Sequence, residues 1–320
     1  MKTLLAALVA LTATLGPSLA QEPYPARPVM LVVPQPPGGT NDFIARIVAD
    51  KMHEQIPGGR FVVENRAGAG GNIGTAFAAR ATPDGYTLLL TISATQAISP
   101  ALYSKPNFDP VADFEPITLL ARTGFVLVAH PSLKIASVND LLAMGKSGGE
   151  IQYGSAGNGT MNHLLGEMLR SKTGLKLVHV PYRGVGPMLN DMLGGHATLG
   201  FASIPSVLPY LRSGALVPLA VSSAQRDPAL PDVPTLGESV PGFEGDLWVA
   251  LFAPKGTPKA VRDTLRVAAT KALEDPAVKE KLATQGARVE TSTPEELEAI
   301  LKQDLAKWGQ VVKESGAKVD

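Results

Sequence analysis

Short apolar runs rich in β-branched residues alternate with helical stretches along residues 21–320, and glycine- or proline-rich turns separate them. Residues 29–34 form the first run, a Pro-Pro-Gly-Gly turn follows, and residues 40–55 then place apolar side chains on one helical face. Two further runs repeat this pattern before residue 91. The alternation predicts an α/β fold.

A second series of such units begins after the apolar run at residues 117–129. Strand and helix patterns recur over 138–221, and a strand at 247–253 returns toward the first series. Between them, residues 227–242 contain too many prolines for a helix or a central strand. At roughly 100 to 200 residues per domain, 320 residues predict two domains with one cleft between them.

Capping signals mark three helix starts in the C-terminal part. Thr257 and Asp275 each precede a proline, which is typical of the first helical position. Thr293 is followed three residues later by Glu296, the spacing of a capping box. These signals predict where helices begin and indicate nothing about function.

The first twenty residues resemble an export signal. Lys2 supplies a positive charge, residues 4–15 form an apolar stretch too short to span a bilayer, and Ser18 and Ala20 place small residues at −3 and −1. We expect cleavage between Ala20 and Gln21. The alternative is an ordinary N-terminal hydrophobic helix. With no later membrane-spanning stretch, the mature product is expected to be soluble and exported.

Composition excludes several classes of function. The chain has 29 basic and 29 acidic side chains, so it lacks the positive field that attracts nucleic acids or anionic lipids. It contains no cysteine, which excludes disulfides, a thiol nucleophile and a thiolate metal site. Hydrophobic residues make up 45% of the chain, which is typical of a packed globular protein and excludes disorder as the main state.

Three glycine-rich loops each connect an apolar run to a helix. They lie at residues 37–40, 68–72 and 155–160. A helix start presents free backbone N–H groups and the positive end of the helix dipole, so two such loops facing each other can bind a carboxylate without arginine. The alternative is that these glycines only permit tight turns.

Enzyme motifs fail the spacing test. A dinucleotide-binding loop beginning at Gly68 requires glycine at position 73, which is Ile73. A nucleophile elbow around Ser155 requires glycine where Tyr153 stands, although Gly157 fits. We therefore predict no enzymatic activity and no catalytic residue.

The histidines also argue against a zinc site, because none of the five forms an i,i+4 pair or a His-Glu-x-x-His motif. We expect no metal and no cofactor. His163 lies three residues after Thr160 on the first turn of a predicted helix, so it either lines a cleft or is solvent-facing or hydrogen-bonded structurally.

The loops and their surroundings resemble the Bug family, also called TctC-like, of periplasmic solute-binding proteins. The resemblance spans essentially the whole mature chain, and its most specific segments are VVENRAGAGGNIG (62–74), YGSAGNGTMNHLLGE (153–167) and VHVPYRGVGPMLNDMLGG (178–195).

This resemblance implies a two-lobe α/β fold of the Venus-flytrap type, the type II periplasmic binding protein fold. We expect lobe 1 to comprise residues 21–122 and 255–320 and lobe 2 residues 123–254, with hinge crossovers near 120–126 and 243–255. It also implies a receptor for a tripartite tricarboxylate transporter, whose partners are a large and a small membrane subunit. We expect a monomer that binds a small organic carboxylate.

Within that family the ligand carboxylate sits between loops of both lobes. Carried over by position, the resemblance implies these ligand-binding candidates: Gly38, Gly39, Thr40, Asp42, Asn72 and Ser93 in lobe 1, and Ser155, Gly157, Asn158, Gly159, Thr160, His163, Tyr182, Ala202 and Ser203 in lobe 2. The hydroxyl of Thr160 either donates to the ligand or caps its own helix.

Three departures from the family pattern concern the ligand. Gln35 replaces a usual aromatic residue, Gln96 replaces a frequent histidine, and Ala202 with Ser203 replaces a pair that contains an aspartate. Because that aspartate suits a ligand amine, its absence favours a plain carboxylate, of the dicarboxylate or aromatic acid class. A sensor that feeds a two-component kinase is the alternative function, and an extracytoplasmic hydrolase is a weaker one.

Overall fold

The computed structural model describes residues 24–56 and 58–319. The predicted export signal over residues 1–20 lies outside the described residues. Within these residues the chain forms two β-sheets with helices packed against them, the α/β organisation that the sequence predicts. None of the described helices is both long enough and apolar enough to cross a membrane.

The first sheet has six strands in the spatial order β11-β4-β10-β3-β1-β2. β1 pairs in parallel with β2 and β3, whereas β10 is antiparallel to β3 and β4, and β11 is antiparallel to β4. The three parallel strands therefore end at the same edge. The strands are β1 (Val29–Val33), β2 (Phe61–Asn65), β3 (Thr87–Ile92), β4 (Phe114–Thr123), β10 (Leu247–Pro254) and β11 (Arg288–Val289).

The second sheet has five strands in the order β7-β6-β8-β5-β9. β6 is parallel to β7 and β8, and β5 is antiparallel to β8 and β9. The parallel strands again share one carboxyl-terminal edge. The strands are β5 (Phe125–Ala129), β6 (Ile151–Ser155), β7 (Leu177–Pro181), β8 (Leu199–Ser203) and β9 (Val217–Val221).

Most helices follow these strands and cover the sheets. Short 3-10 turns lie at Ala69–Gly71 and Pro131–Leu133, and a π-helix lies at Ala94–Ile98. The α-helices are α1 (Thr40–Gln55), α2 (Asn72–Ala79), α3 (Ser99–Leu102), α4 (Val138–Lys146), α5 (Met161–Thr173), α6 (Val185–Leu193), α7 (Ile204–Arg212), α8 (Leu236–Ser239), α9 (Lys259–Glu274), α10 (Pro276–Thr284) and α11 (Pro294–Ser315).

Two of the three predicted caps are present. Asp275 accepts a hydrogen bond from the N–H of Ala277, and Thr293 forms the expected capping box. Thr257 is different, because its hydroxyl donates to the carbonyl of Pro254 and Pro258 is the N-cap of α9. The expectation that the proline-rich segment is free of helix is wrong for one turn, α8.

The chain crosses between the sheets twice. Gly124 alone separates β4 from β5, and residues 222–246 connect β9 to β10. The strand predicted to return toward the first series does so, because residues 247–254 pair with β3 and β4, although they lie on the lobe-two side of the boundary expected at residue 254. Seven of the eight residues of β10 are buried, as is typical of a strand with a neighbour on each side.

Helix α11 contacts both halves of the molecule. It packs against β4 and the π-helix on the side of the first sheet and against α5 on the side of the second. The hydroxyl of Ser171 on α5 donates to the carboxylate of Glu314 on α11 over 2.5 Å. Helix α11 therefore packs against the first sheet and also forms part of the contact between the two halves.

Candidate functional site

The hydroxyl groups of Ser155 and Thr160 hold the loop after β6 together. Ser155 is fully buried, and its Oγ accepts from the N–H of Gly157 over 3.1 Å. The Thr160 hydroxyl donates to the carbonyl of Gly157 over 2.7 Å. These bonds tie both ends of the loop to its middle. Gly157 has a φ of +130°, and a Cβ there would lie 3.2 Å from the carbonyl oxygen of Tyr182, so this position requires glycine.

Thr160 also forms the N-cap of α5. Its Oγ1 accepts from the N–H of His163 over 3.4 Å, while its hydroxyl donates to the carbonyl of Gly157. Of the N–H groups in the first turn of α5, those of Met161 and Asn162 bond no acceptor among the described residues. The start of this thirteen-residue helix thus combines a formed cap with two free donors and a positive dipole end.

His163 is held by the same loop. The N–H of Gly159 donates to Nδ1 of His163 over 3.1 Å, so this nitrogen carries no proton and the neutral ring has its proton on Nε2. Nε2 lies 3.9 Å from a carboxylate oxygen of Glu167. Burial lowers the pKa of His163, an effect that Glu167 opposes. The first-turn position of His163 predicted from sequence is therefore correct, and its Nδ1 is bonded to the loop.

A second histidine, which the sequence did not single out, completes this cluster. His179 on β7 stacks on His163 with ring centroids 3.9 Å apart, and its Nε2 lies 2.6 Å from Oγ of Ser155. Burial and the neighbouring His163 lower the pKa of His179 to about 4. Strand pairing explains this contact, because β7 is the neighbour of β6 and its register places His179 opposite Tyr153.

Of three further lobe-two candidates, Tyr182 contacts the loop after β6, whereas Ala202 and Ser203 lie at the end of β8. The backbone N–H of Tyr182 donates to the carbonyl of Ser155 over 3.0 Å, and its hydroxyl donates to Asp191 over 2.8 Å. Burial, followed by the bond to Asp191, raises the pKa of Tyr182 to about 12. Ala202 is fully buried near the end of β8, and Ser203 bonds within its own turn to Ser206.

In lobe one, Asp42 supports the loop after β1. Its carboxylate accepts from the N–H of Gly38 and from the side chain of Asn65, both over 2.9 Å, and it pairs with Arg46. Burial opposes ionisation, but the hydrogen bonds from Arg46, Gly38 and Asn65 lower the pKa of Asp42 overall. This carboxylate is thus already engaged. Gly38, Gly39 and Thr40 are exposed beside it, and α1 has no side-chain cap there.

The loops after β1, β2 and β3 are joined by neutral side chains. Gln35 donates to the hydroxyl of Thr95 over 2.9 Å, and Thr95 donates to the carbonyl of Gly70 over 3.2 Å. Oε1 of Gln35 accepts from the side-chain amide of Asn41. Thr95 was missed from sequence, because its contacts come from residues far along the chain.

Two further lobe-one candidates are buried. Oδ1 of Asn72 accepts from the hydroxyl of Ser99 over 2.6 Å, which connects α2 to α3. Ser93 is covered completely, and its Oγ accepts from the N–H of Trp248 on β10 over 3.3 Å. The structure therefore brings Asn72 next to the helical segment after β3, whereas it directs Ser93 toward the neighbouring strand.

The two halves meet at Gly159. A Cβ on this residue would lie 2.7 Å from Cδ1 of Leu102 and 3.2 Å from Cγ2 of Val319. Leu102 ends the helical segment that follows β3, so the loop after β6 contacts lobe one directly. No group of three or more histidine, aspartate or glutamate side chains suitable for a metal ion occurs among residues 24–56 and 58–319.

A family model for the tripartite tricarboxylate transporter family receptor matches residues 44–317 of the chain. The chain belongs to this family. Protein BugT of Bordetella pertussis is 37% identical over 311 residues, which cover 96% of this chain and 95% of BugT. The predicted membership of the Bug, or TctC-like, family is confirmed.

Solved structures of similar proteins have the same fold as this family member. Rpa4515 of R. palustris, solved with adipate, is 34% identical, covers 92% of this chain and 99% of its own, and superposes with a TM-score of 0.77. MatC of Rhodopseudomonas palustris, solved with bound malate, is 30% identical, covers 90% of this chain and 100% of its own, and has a TM-score of 0.73. The predicted two-lobe α/β fold is confirmed.

Proposed function

We propose that this chain is the periplasmic receptor of a tripartite tricarboxylate transporter and binds a small carboxylate in the interlobe cleft. The observation that carries the proposal is the loop over residues 157–160, which starts α5 and contacts Leu102 of the other half. It offers helix N-terminal donors at the place where the lobes meet. The adipate and malate held by the two similar structures support a carboxylate of the dicarboxylate class.

The geometry supports recognition of an anion by neutral groups. A carboxylate at the start of α5 would accept from the N–H groups of Met161 and Asn162. The start of α1, beside Gly38 and Gly39, offers the same kind of donors from the other lobe. Because the backbone already orients these N–H donors, binding of the carboxylate has to order few side chains. Closure of the lobes around the anion then presents one compact form to the membrane subunits.

We propose that the contact between Ser155 and His179 is structural. Their separation of 2.6 Å is what a hydrolase needs, and it is the feature that favours that alternative. However, the Ser155 oxygen already accepts from the N–H of Gly157, and the ring of His179 is stacked on that of His163. Both side chains are therefore engaged in holding the loop after β6. Absence of ester turnover by the purified protein, with carboxylate binding retained, is the expected result.

We further propose export, cleavage between Ala20 and Gln21, and function as a monomer with the large and small membrane subunits as partners. A sensor role would use the same closure but engage a kinase ectodomain. N-terminal sequencing of the protein recovered from the periplasm tests the cleavage. Reconstitution of carboxylate uptake with the two membrane subunits tests the partnership.

The central experiment is a thermal-shift and calorimetric screen of the mature chain. The screen compares adipate, malate, succinate and aromatic acids with glucose and with agmatine, a cation that has no carboxylate. At a hundredfold excess over its dissociation constant, a bound carboxylate should stabilise the fold by about 2.7 kcal/mol. Stabilisation by glucose or agmatine, with no response to any carboxylate, would overturn the proposed ligand class.

A further inference from the structure

We propose that Gln96 determines ligand specificity, and that its side-chain amide hydrogen-bonds a hydroxyl group on the ligand, at a distance from the carboxylate bound by α5. This inference rests on the proposed function. Gln96 lies in the π-helix that directly follows β3, and π-helical turns occur frequently at functional sites.

The first observation concerns the hydrogen bonding of the Gln96 side-chain amide. Gln96 is fully buried, and neither Oε1 nor Nε2 has a hydrogen-bond partner among the described residues. Buried amides are almost always paired, because leaving water without a new partner is costly. Gln35 provides the comparison in the same region, since both ends of its amide are bonded, to Thr95 and to Asn41.

The second observation is where this residue lies. The helical segment over residues 94–102 contacts the loop after β1 through Thr95 and the loop after β2 through Ser99. It also contacts the loop after β6, through Leu102 against Gly159. Gln96 is thus part of a segment that contacts ligand-loop candidates from both lobes.

The third observation is a second unpaired amide nearby. Nδ2 of Asn72 is buried and has no partner among the described residues, although Oδ1 of the same side chain accepts from Ser99. Gln96 and Ser99, the partner of Asn72, lie on one continuous helical segment. The segment that carries Gln96 therefore also contacts the side chain whose donor is unpaired.

The chemistry of these groups indicates the ligand group. An amide offers a donor and an acceptor but no charge, which matches a hydroxyl, a group that also donates and accepts. The charged side chains in the first turns of α1, Asp42 and Arg46, pair with each other. A hydroxyl-bearing carboxylate thus satisfies Gln96, whereas the same acid without the hydroxyl leaves the amide unpaired.

Matched pairs of acids test the proposal. Malate and succinate differ by one hydroxyl, and so do mandelate and phenylacetate. We expect the wild-type protein to prefer the hydroxylated member of the pair that it binds. Gln96→Met keeps the length of the side chain but removes the amide, and should reduce that preference by roughly tenfold or more through weaker binding of the hydroxylated acid.

Thr91→Val is the matched control. Thr91 is also fully buried with an unpaired hydroxyl, but it lies within β3. This variant should retain the wild-type preference. Loss of preference in both variants would indicate a general effect of changing buried polar groups, and would overturn the role of Gln96.

The outcomes separate the two proposals. If the wild-type protein binds no carboxylate, the proposed function is wrong, and the role of Gln96 with it. If it binds carboxylates but Gln96→Met keeps the preference for the hydroxylated acid, only the role of Gln96 is wrong.

A measurement on the wild-type protein covers the case in which Gln96→Met does not fold. In protein labelled with ¹⁵N at glutamine, the side-chain NH₂ signal of Gln96 should shift when malate or mandelate binds and should shift less with the paired acid. The signal of Gln35, which is already bonded, serves as the internal reference. Equal shifts with both members of a pair would overturn the proposal.

Discussion

The backbone N–H of Gly159 donates to Nδ1 of His163, so the ring that follows the ligand loop also holds that loop in shape. Protonation of Nδ1 would replace an acceptor with a donor and break this bond. The ring stacks on His179 from β7, and Glu167 and Arg170 from its own helix act on its charge. Only Glu167 favours the charged form.

This arrangement predicts that stability falls in mild acid. The pKa values of His163 and His179 are both lowered by burial, that of His179 to about 4, so the unfolded chain binds more protons in the window between pH 6.5 and about 4. Their contribution to stability is therefore complete above pH 6.5 and is lost as the pH falls through this window. Denaturant unfolding of the ligand-free protein between pH 7.5 and pH 4 measures it.

His163→Asn is the informative variant for this prediction. The asparagine oxygen can accept from Gly159 as Nδ1 does, but it does not titrate in this range. We expect a shallower loss of stability below pH 6.5, because His179 is also freed from repulsion by a second imidazolium. An unchanged pH profile would assign the acid sensitivity to other groups.

Replacing Thr160 by Val should destabilise the free protein. The hydroxyl caps α5 and binds the carbonyl of Gly157, so its loss should cost about 1 kcal/mol of unfolding free energy. Because its proton is already used within the loop, we expect carboxylate affinity to change by less than about tenfold. Thr160→Ser, which keeps the cap, is the control. Loss of affinity in Thr160→Val with intact stability would show that the hydroxyl contacts the ligand.

Gly159→Ala should disturb the contact between the lobes. Gly159 has a φ of +73°, and the added Cβ would lie 2.7 Å from Leu102. Gly174→Ala is a matched control, because Gly174 has a φ of +70° but no atom within 4 Å of the added Cβ. Both variants should lose about 1 kcal/mol through backbone strain. Only Gly159→Ala should also weaken carboxylate binding, as measured by calorimetry.

A double variant checks the origin of that effect. Adding Leu102→Ala removes the atom that the new Cβ meets, so it should restore part of the lost affinity in the Gly159→Ala background. Equal loss of affinity in Gly174→Ala and Gly159→Ala would mean that backbone strain, not the interlobe contact, is responsible.

Asp42→Asn should destabilise the protein although it is a conservative change. The carboxylate is buried and accepts from Gly38 and Asn65 while pairing with Arg46, and loss of such charged hydrogen bonds typically costs about 1.5 to 3 kcal/mol. Asp263→Asn, which breaks an exposed pair with Lys259 at the same i,i+4 spacing, should leave the urea midpoint nearly unchanged. Similar midpoints for the two variants would contradict the structural role of Asp42.

Local sequence patterns determined much of the fold. Short runs bounded by proline or glycine predict β1 and β6, and the caps of α10 and α11 follow from Asp275 and from Thr293 with Glu296, because each feature depends on residues that are close in sequence. The family segments added the two-lobe architecture. They also predicted the site candidates as strand-end loops.

Strand order decided what local patterns could not. The buried residues of β10 need a partner strand on each side, but no signal near residue 250 states that these strands are β3 and β4. Likewise, His179 reaches Ser155 only because β7 and β6 are adjacent and in register.

The candidate site likewise combines features that the local sequence predicts with features that only the tertiary structure decides. Glycine spacing indicated the loop at residues 155–160, since positive φ angles are a local requirement. The role of each side chain within it depended on distant partners: Asp42 is occupied by Asn65, Gln35 is bonded to Thr95, and Gln96 is left without a partner. A hydrogen bond is satisfied by whichever group the fold brings within about 3 Å, so only the tertiary structure distinguishes an engaged polar side chain from one that remains free for a ligand.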